Sequence, residues 1–333
     1  MVPELQALGW GDDFDAAYRA FCAPLSPDER GQLTPVRVVG TSRQTFRVRG
    51  LHGEQEARLA GALRRQGEVI PALGDWCVLQ MGPENAGRVV GLLPRRTTFA
   101  RALGADNERR RPQAARQQVI AANVDLILIV TTPDADFDLE RLERYIQAVW
   151  QSGARPALVL NKTDLRENVH WWLEQLRTLG ADLEVHTVAA ATGEGLQGVR
   201  ALLAEGVTLA LIGSSGVGKS TLTNALLGRD AALTGEVRVS DQQGRHTTTA
   251  RTLYLVPGGG LLIDNPGLRD IAVWDADSAD FGDVEALAAQ CRFRKCTHTT
   301  EPGCAVQAAV RAGDLSPVRL AAFQAHPARG RRR

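Results

Sequence analysis

Residues 213–220 read GSSGVGKS and match the pattern G-x-x-x-x-G-K-[ST], with the apolar run VTLALI before them and a helical stretch, 220–227, after them. A strand, this loop and a helix form a phosphate-binding loop, in which backbone N–H groups and the positive end of the helix surround phosphate oxygens. Lys219 is expected to reach the β- and γ-phosphates, and Ser220 is a candidate Mg²⁺ ligand. The motif therefore predicts a nucleotide-binding α/β domain. The predicted phosphate-binding residues are Gly213, Ser214, Ser215, Gly216, Val217, Gly218, Lys219, Ser220 and Thr221.

The hydrophobic pattern around this loop supports an α/β domain. From residue 119 onward, the strand-like runs VDLILIV, RPALVLN, LEVHTV and VTLALIG alternate with the helical stretches 138–152, 166–179 and 195–204. Two further strands, RTLYLV and GLLID, follow a polar stretch at 234–250. Such alternation predicts a parallel sheet with helices on both faces.

A second motif, NKTD, follows the strand RPALVL and consists of Asn161, Lys162, Thr163 and Asp164. Loops at the carboxyl ends of parallel strands bind ligands in open α/β sheets. The Asp164 carboxylate can accept hydrogen bonds from N1–H and the 2-amino group of guanine, a pattern that adenine does not offer. Asn161 is expected to steady the loop and the Lys162 stem to lie along the base. Residues 192–195 (TGEG) are expected to back the base from the other side.

The third group of candidates concerns Mg²⁺ and hydrolysis. Asp264 follows an apolar strand and is placed to hold Mg²⁺ through water, while the Gly267 N–H senses the γ-phosphate. Position 268 is leucine, which cannot orient water, so His246 is the candidate for placing the attacking water, with backbone carbonyls as rivals. Slow turnover and activation by a partner are expected. The predicted catalytic residues are Lys219, His246, Thr248 and Gly267, and the predicted Mg²⁺ ligands are Ser220, Thr248 and Asp264.

The ends of the chain are basic although the net charge is only +1. Residues 35–116 carry 15 basic and 7 acidic side chains (+8) and residues 281–333 carry 9 and 4 (+5), whereas 1–34 carry 2 and 6 (−4) and 117–280 carry 13 and 21 (−8). Basic end modules predict contact with a polyanion, and solvated basic faces are the alternative. Residues 35–95 hold five short alternating strands, which indicate a small barrel: an OB-fold, or an SH3-like barrel, which the sequence does not separate.

Three of the five cysteines lie close together near the C-terminus. Cys291, Cys296, His298 and Cys304 form C-x4-C-x-H-x5-C, a set that closes a tetrahedral, structural Zn²⁺ site, with reduced core cysteines as the alternative. The other two, Cys22 and Cys77, are expected to be small buried side chains. An odd cysteine number, no apolar run of about 20 residues and no secretory signal predict a cytoplasmic protein without a membrane span.

The order of the motifs is unusual, because NKTD precedes the phosphate loop by about 50 residues, the reverse of an ordinary GTPase. A circularly permuted GTPase core with a barrel before it and a Cys/His cluster after it resembles the RsgA (YjeQ) family. The resemblance implies GTP hydrolysis in late maturation of the small ribosomal subunit, contact with its 16S rRNA and proteins, bound GTP or GDP with Mg²⁺, and one Zn²⁺ held by the cluster. It also implies a monomer. Asn265 and the pair Ala189 and Ala190 depart from the family pattern.

The expected organisation is multidomain: an N-terminal extension (1–34) without an assigned role, an OB-fold RNA-binding domain (35–98), a basic linker (99–118), a circularly permuted α/β P-loop GTPase domain (119–280) and a helical zinc-binding domain with a basic tail (281–333). Two alternatives stay open. One is an ATP-dependent P-loop protein, and the other is a non-catalytic RNA-binding module that GTP switches.

Overall fold

The computed structural model describes residues 2–42, 45–66, 70–82, 87–102, 117–228, 251–264, 284, 287–293, 296–299, 301–312, 315, 320 and 323–324. The strands are β1 (Leu33–Thr41), β2 (Phe46–Gly50), β3 (Gly53–Leu59), β4 (Trp76–Met81), β5 (Gly87–Leu92), β6 (Thr98–Ala102), β7 (Gln117–Ala122), β8 (Leu126–Thr131), β9 (Arg155–Leu160), β10 (Val185–Thr187), β11 (Thr208–Ile212), β12 (Arg251–Leu255) and β13 (Leu261–Asp264). The helices are α1 (Pro3–Gln6), α2 (Asp12–Cys22), α3 (Pro27–Gly31), α4 (Gly61–Gln66), α5 (Leu139–Gln151), α6 (His170–Arg177), α7 (Leu196–Ala201), α8 (Lys219–Leu226) and α9 (Ala305–Ala312).

The α/β region forms the predicted parallel sheet. Strands β10, β9, β8, β11 and β13 lie side by side in this order and are parallel, and β12 joins β13 antiparallel. All six residues of β8 are buried. Ile127 and Ile129 pack into one hydrophobic cluster, whereas Leu126, Leu128 and Val130 pack into another. Because successive side chains leave opposite faces of a strand, both faces of this sheet are covered, as the continuous apolar runs indicated.

The five predicted barrel strands close into a barrel. Their order is β1-β2-β3-β5-β4, and β4 returns to pair with β1, so the sheet has no open edge there. Only the β3–β5 pairing is parallel, and α4 lies in the chain between β3 and β4. This closed five-stranded order is that of an OB-fold, which decides the choice that the sequence left open. Val36, Val38 and Val48 fill the barrel core.

The barrel and the α/β sheet are joined by direct strand pairing. Gly40 of β1 lies opposite Thr252 of β12, and Thr41 lies opposite Arg251. One sheet of eleven strands therefore runs from β10 to β4. The sequence analysis treated the barrel and the GTPase core as separate units, because pairing between strands more than 200 positions apart leaves no local sequence signal.

The N-terminal segment, to which the sequence analysis assigned no role, packs into the main core. Leu8, Trp10 and Phe14 are each at most 5% exposed. The Trp10 ring contacts the buried Trp76 ring of β4 edge-on, with centroids 4.7 Å apart. Aromatic pairs in this geometry stabilise a core beyond the area that they bury. The segment is thus part of the folded core where barrel and α/β region meet.

Arg37 of β1 joins three parts of the chain from a buried position. Its guanidinium donates to the backbone carbonyls of Leu8 (2.5 Å), Gly74 (3.1 Å) and Asn123 (2.8 Å). Burial lowers its pKa to about 10, because the charged form is disfavoured away from water. A guanidinium presents five donors in a planar fork, so it can serve three separate carbonyls at once.

The segment predicted as a linker begins and ends in strands. β6 and β7 form a two-stranded antiparallel sheet, and Phe99 and Ile120 from these strands are buried in the main core. Residues 103–116 lie outside the described residues. No helix within the described ranges is long and apolar enough to cross a bilayer.

Candidate functional site

The parallel strands bring the predicted nucleotide motifs to one edge of the sheet. β9 ends at Leu160 immediately before the NKTD residues, and β11 ends at Ile212 immediately before the phosphate loop. β13 ends at Asp264, and β10 ends shortly before residues 192–195. Since these strands are parallel, their carboxyl ends share an edge, which is where open α/β sheets bind ligands.

The backbone of the phosphate loop requires glycine at two places. Gly213 has φ 140°, and a Cβ there would lie 2.3 Å from the Val130 carbonyl oxygen. Gly218 has φ 92° and precedes α8, and a Cβ there would lie 2.3 Å from the Asn161 side-chain nitrogen. Only glycine tolerates both the left-handed backbone and the close approach. The loop therefore has the tight geometry that its sequence predicted.

Lys219, the first residue of α8, is 8% exposed. Its ammonium donates to the Gly213 carbonyl at 2.7 Å and to the Ser214 carbonyl. The charge is thus already held over the loop and away from bulk water. A phosphate group entering the loop would meet a preorganised cation, which is the condition for strong electrostatic stabilisation. Ser220 lies in the first turn of α8 and is exposed.

Asn161 connects three loops of the candidate site. Its side-chain nitrogen donates to the Val217 carbonyl at 2.8 Å, and its side-chain oxygen accepts from the Ala190 N–H at 3.1 Å. The side chain is 1% exposed. The NKTD loop, the phosphate loop and the loop after β10 are therefore held together by one amide. From the sequence, Asn161 was expected only to steady its own loop.

The other NKTD residues form a turn that leaves the Asp164 carboxylate exposed. Lys162 has φ 60°, and the chain then forms a short 3₁₀ turn over Thr163–Leu165. The Thr163 N–H donates to the Val188 carbonyl at 3.3 Å, which fixes the turn beside β10. Asp164 is exposed at the carboxyl edge of the sheet. This is the position from which a carboxylate can reach a base bound at that edge.

Tyr145 of α5 is a contact of the phosphate loop that the sequence analysis missed. It is 4% exposed, and burial raises the pKa of its hydroxyl, although a hydrogen bond with the Ser214 side chain acts in the opposite direction. The amphipathic pattern of α5 indicates that position 145 is buried. It does not indicate which loop the hydroxyl meets, because that depends on how α5 crosses the sheet.

Three of the four predicted catalytic residues lie outside the described residues. They are His246, Thr248 and Gly267, and the neighbouring Asn265 and Leu268 also fall there. Asp264, a predicted Mg²⁺ ligand, is described: it is half-buried and pairs with Thr252 in the β12–β13 ladder. Its place at the end of β13 sets it at the same edge as the phosphate loop.

The four predicted metal ligands of the C-terminal region come together. The ligand atoms of Cys291, Cys296, His298 and Cys304 all lie within 4.8 Å of one another. His298 Nδ1 is 3.5 Å from the Cys291 sulfur and 3.4 Å from the Cys304 sulfur, and these two sulfurs are 3.8 Å apart. A tetrahedral zinc ion, with bonds of about 2.3 Å to sulfur and about 2.0–2.1 Å to nitrogen, separates its ligands by about 3.6–3.8 Å. The cluster fits such an ion.

Hydrogen bonds around the cluster hold the histidine in place. His298 has φ 59°, and its carbonyl accepts from the side-chain amides of Gln307 (2.8 Å) and Gln324 (2.7 Å). Burial raises the pKa of the Cys291 thiol, but hydrogen bonds from the backbone N–H groups of Val306 and Ala305 outweigh it, so the pKa is lowered. A lowered pKa favours the thiolate, which is the metal-binding form.

The two isolated cysteines behave as the sequence predicted. Cys22 is 8% exposed and Cys77 is fully buried, and both are free thiols. Burial raises the pKa of the Cys77 thiol well above its ordinary value. Cys77 is therefore an inert core side chain.

Comparisons with known proteins agree with this geometry. The sequence model of the family described as RsgA GTPase matches residues 103–274. The small ribosomal subunit biogenesis GTPase RsgA of Opitutus terrae is 39% identical over 96% of this chain and 88% of its own length. The protein of the same name from Xanthomonas euvesicatoria is 41% identical over 96% and 87%.

A solved structure shows the same fold. The crystal structure of YjeQ from Thermotoga maritima aligns with a TM-score of 0.56 over 87% of this chain and 96% of that chain, at 23% identity. The predicted OB-fold and circularly permuted α/β core are confirmed at the level of fold. Because the family model matches residues 103–274 and these relatives cover 96% of the chain, the chain belongs to the RsgA GTPase family.

Proposed function

We propose that this protein binds and hydrolyses GTP and acts in the maturation of the small ribosomal subunit; its relatives are named small ribosomal subunit biogenesis GTPases. The observation that carries the proposal is the amide bridge of Asn161, which joins a guanine-type loop to a phosphate loop at one edge of the sheet. A site of this form binds base and phosphates together. An ATP-specific protein has no need of the Asp164 carboxylate, so GTP is the preferred nucleotide.

In the proposed site, each loop has a distinct task. Asp164 accepts from the guanine N1–H and amino group, and the backbone of residues 213–221 surrounds the phosphates. Lys219 exchanges its present carbonyl partners for the β- and γ-phosphate oxygens, where negative charge builds during hydrolysis. Ser220, Thr248 and Asp264 would hold Mg²⁺, which neutralises phosphate charge when bound.

Hydrolysis in this proposal depends on the polar segment 234–250, which precedes β12 in the sequence. Leu268 lacks a group that orients water, so we propose that His246 of this segment places the attacking water. β12 follows this segment in the chain and pairs directly with β1 of the barrel. A partner bound to the barrel would act on the module whose strand β1 is paired with β12, and this favours stimulation of a slow intrinsic reaction.

The Cys/His cluster is proposed to hold one structural Zn²⁺. Three thiols and one imidazole, whose ligand atoms lie within 4.8 Å of one another, would supply all four ligands of a tetrahedral ion and leave no open position for catalysis. Helix α9 contributes Val306 and Ala309 to a small separate hydrophobic cluster, which also contains Phe323. Because this core is small, the ion would supply much of its folding free energy.

The proposed partner is the small ribosomal subunit, whose rRNA and proteins this protein contacts. The protein itself is proposed to be a monomer in the cytoplasm. The barrel segment and the C-terminal segment carry +8 and +5, and each phosphate that they neutralise releases counterions. Binding should therefore weaken steeply as salt rises, by about 0.7–0.9 log units per tenfold salt for each contact.

The deciding experiment measures phosphate release with GTP and with ATP, each with and without purified small subunits. We expect slow GTP turnover that the subunits accelerate, and no comparable ATP turnover. Asp164→Asn should weaken GTP binding and favour xanthosine nucleotides, because xanthine presents a complementary group to an amide. Equal use of ATP, or unchanged GTP affinity in Asp164→Asn, would contradict the nucleotide assignment.

One alternative has a specific observation in its favour. Leu268 at the position that follows the Asp-x-x-Gly motif is compatible with a protein in which GTP only switches conformation. Multiple-turnover phosphate release in the presence of subunits separates the two functions. Binding that depends on the nucleotide without any turnover would support the switch.

A further inference from the structure

An exposed aromatic surface lies beside the NKTD loop. Trp171 of α6 is 59% exposed and Leu165, in the turn after Asp164, is 68% exposed. The Trp171 ring rests edge-on against Trp172, with centroids 5.6 Å apart, and tilted against Phe137, with centroids 6.0 Å apart. We call the side chains Phe137, Leu165, Trp171 and Trp172 the α6 surface. None of the proposed nucleotide contacts uses these side chains.

The Trp171 indole stays mostly exposed although it contacts two neighbouring rings of the chain. Phe137 and Trp172 are half-buried and pack against the main core, so they hold the Trp171 ring in place from below. Arg166 lies over the Trp172 ring at 5.8 Å and donates to the Pro133 carbonyl at 2.8 Å, which fixes that ring as well. A rigid, exposed tryptophan loses little conformational entropy when it is covered, and tryptophan is enriched at the centres of protein interfaces.

The two chain segments that carry this surface have a net negative charge, although Arg166 lies over the Trp172 ring. Residues 134–144 and 164–177, which carry the four side chains, contain eight acidic and four basic residues. Among the basic residues, Arg141 pairs with Asp136 and Arg177 pairs with Glu174. Within the described part of the chain, five exposed acidic residues of these segments form no ion pair, and they are Asp134, Glu140, Glu143, Asp164 and Glu167.

This electrostatic pattern selects the class of partner. Segments with a net negative charge repel the phosphates of RNA. They attract lysine or arginine side chains, which the face of an indole also binds through a cation–π interaction. The α6 surface therefore differs from the basic barrel and C-terminal segments, whose charge suits RNA.

We propose that the α6 surface docks a lysine- or arginine-containing segment of a small-subunit protein, with a cation over the Trp171 indole and Glu167 among its counter-charges. This inference rests on the proposed function, because the small subunit supplies the partner. Leu165 directly follows Asp164, so the docked segment would contact the turn that carries the base-reading carboxylate.

The first test is site-specific photo-crosslinking. The full-length protein carrying benzoylphenylalanine at position 171 is mixed with purified small subunits and a non-hydrolysable GTP analogue. A second sample carries the probe at position 255, because Leu255 is also exposed but lies at the opposite end of its strand from the nucleotide edge. We expect position 171 to crosslink to a ribosomal protein, at a peptide rich in lysine or arginine. A crosslink to rRNA, no crosslink, or the same product from position 255 would overturn the proposal.

The second test measures affinity for subunits by sedimentation. Trp171→Ala should weaken binding by about tenfold, which corresponds to about 1.4 kcal/mol, since tryptophan is enriched among the interface residues whose truncation lowers affinity most. Trp171→Phe, which keeps an aromatic face, should lose less, and Leu255→Ala should match the wild type. Glu167→Lys separates the partner classes: it weakens binding to a basic protein segment and strengthens binding to RNA. Thermal unfolding midpoints within about 2 °C of the wild type establish that each variant is folded.

The outcomes also separate this proposal from the proposed function. If the wild-type protein fails to sediment with subunits in any nucleotide state, both are wrong. If the wild type sediments and hydrolyses GTP but Trp171→Ala and Glu167→Lys bind like the wild type, only the docking proposal is wrong.

Discussion

Replacement of Asn161 by alanine tests the bridge on which the nucleotide site depends. The change removes two hydrogen bonds and leaves the Val217 carbonyl and the Ala190 N–H without this partner, in residues that are 1% and 7% exposed. An unpaired buried backbone group costs about 1–3 kcal/mol. Two such groups would cost about 2–6 kcal/mol together. We expect about 3 kcal/mol, because water that enters the vacated space replaces part of the lost hydrogen bonding. Each 1.4 kcal/mol changes the dissociation constant about tenfold. If the GTP-bound state carries the whole cost, GTP affinity should therefore fall about 100-fold.

The assay is titration with a fluorescent GTP analogue, combined with thermal unfolding of the free protein. Thermal unfolding is needed because loss of the bridge in the free protein appears as lower stability instead of lower affinity. Asn168→Ala is the matched control, since Asn168 lies in the next turn of chain and its side chain only accepts from the exposed His170 N–H. If Asn161→Ala keeps GTP affinity within about threefold and unfolds at the wild-type temperature, the bridge has no energetic role and the reasoning is refuted.

Three further changes have definite expected outcomes. Lys219→Ala should reduce GTP turnover by at least about 100-fold through loss of charge stabilisation at the transferring phosphate, which phosphate release measures. Arg37→Ala should lower the thermal midpoint and expose the N-terminal segment to protease, because buried carbonyls lose their donor; an unchanged digestion pattern would contradict this. Wild-type protein should carry one zinc per chain, and the double variant Gln307→Ala/Gln324→Ala should release it faster to a colour-forming chelator, since the His298 carbonyl loses both donors; equal release rates would remove that role.

Much of the candidate site could be read from short stretches of sequence, since its chemistry is local. A phosphate loop needs glycines, a lysine and a hydroxyl at set spacings, and a tetrahedral zinc site needs four ligands of suitable type. Each of these requirements is met by residues that lie close together in the sequence. The structure then places residues 161–164 and 213–218 at one edge of the sheet and brings the four metal ligands together. The roles of His246, Thr248 and Gly267 stay predictions, because those residues lie outside the described part of the chain.

Contacts between distant parts of the chain could not be read in this way. The Asn161 bridge spans 56 positions, and the three carbonyls that Arg37 serves lie 29, 37 and 86 positions from it. A hydrogen-bond partner is a backbone carbonyl, which every residue possesses, so composition and periodicity carry no record of which one is chosen. The N-terminal segment illustrates the same limit: its apolar residues were visible, but not the core that they join.

Hydrophobic patterning in the sequence by itself predicted the barrel strands, in which apolar side chains alternate, and the α/β strands, which are continuous apolar runs because both of their faces are covered. It did not predict β6 and β7. The positions of the NKTD and phosphate-loop motifs by themselves determined that the α/β motifs occur in permuted order. The order of strands in space was decided only by the tertiary structure. The return of β4 to β1 makes the barrel an OB-fold, and the pairing of β1 with β12 joins it to the GTPase core. Strand pairing uses backbone groups that are common to all residues, so the choice among possible neighbours belongs to the packing of the whole chain.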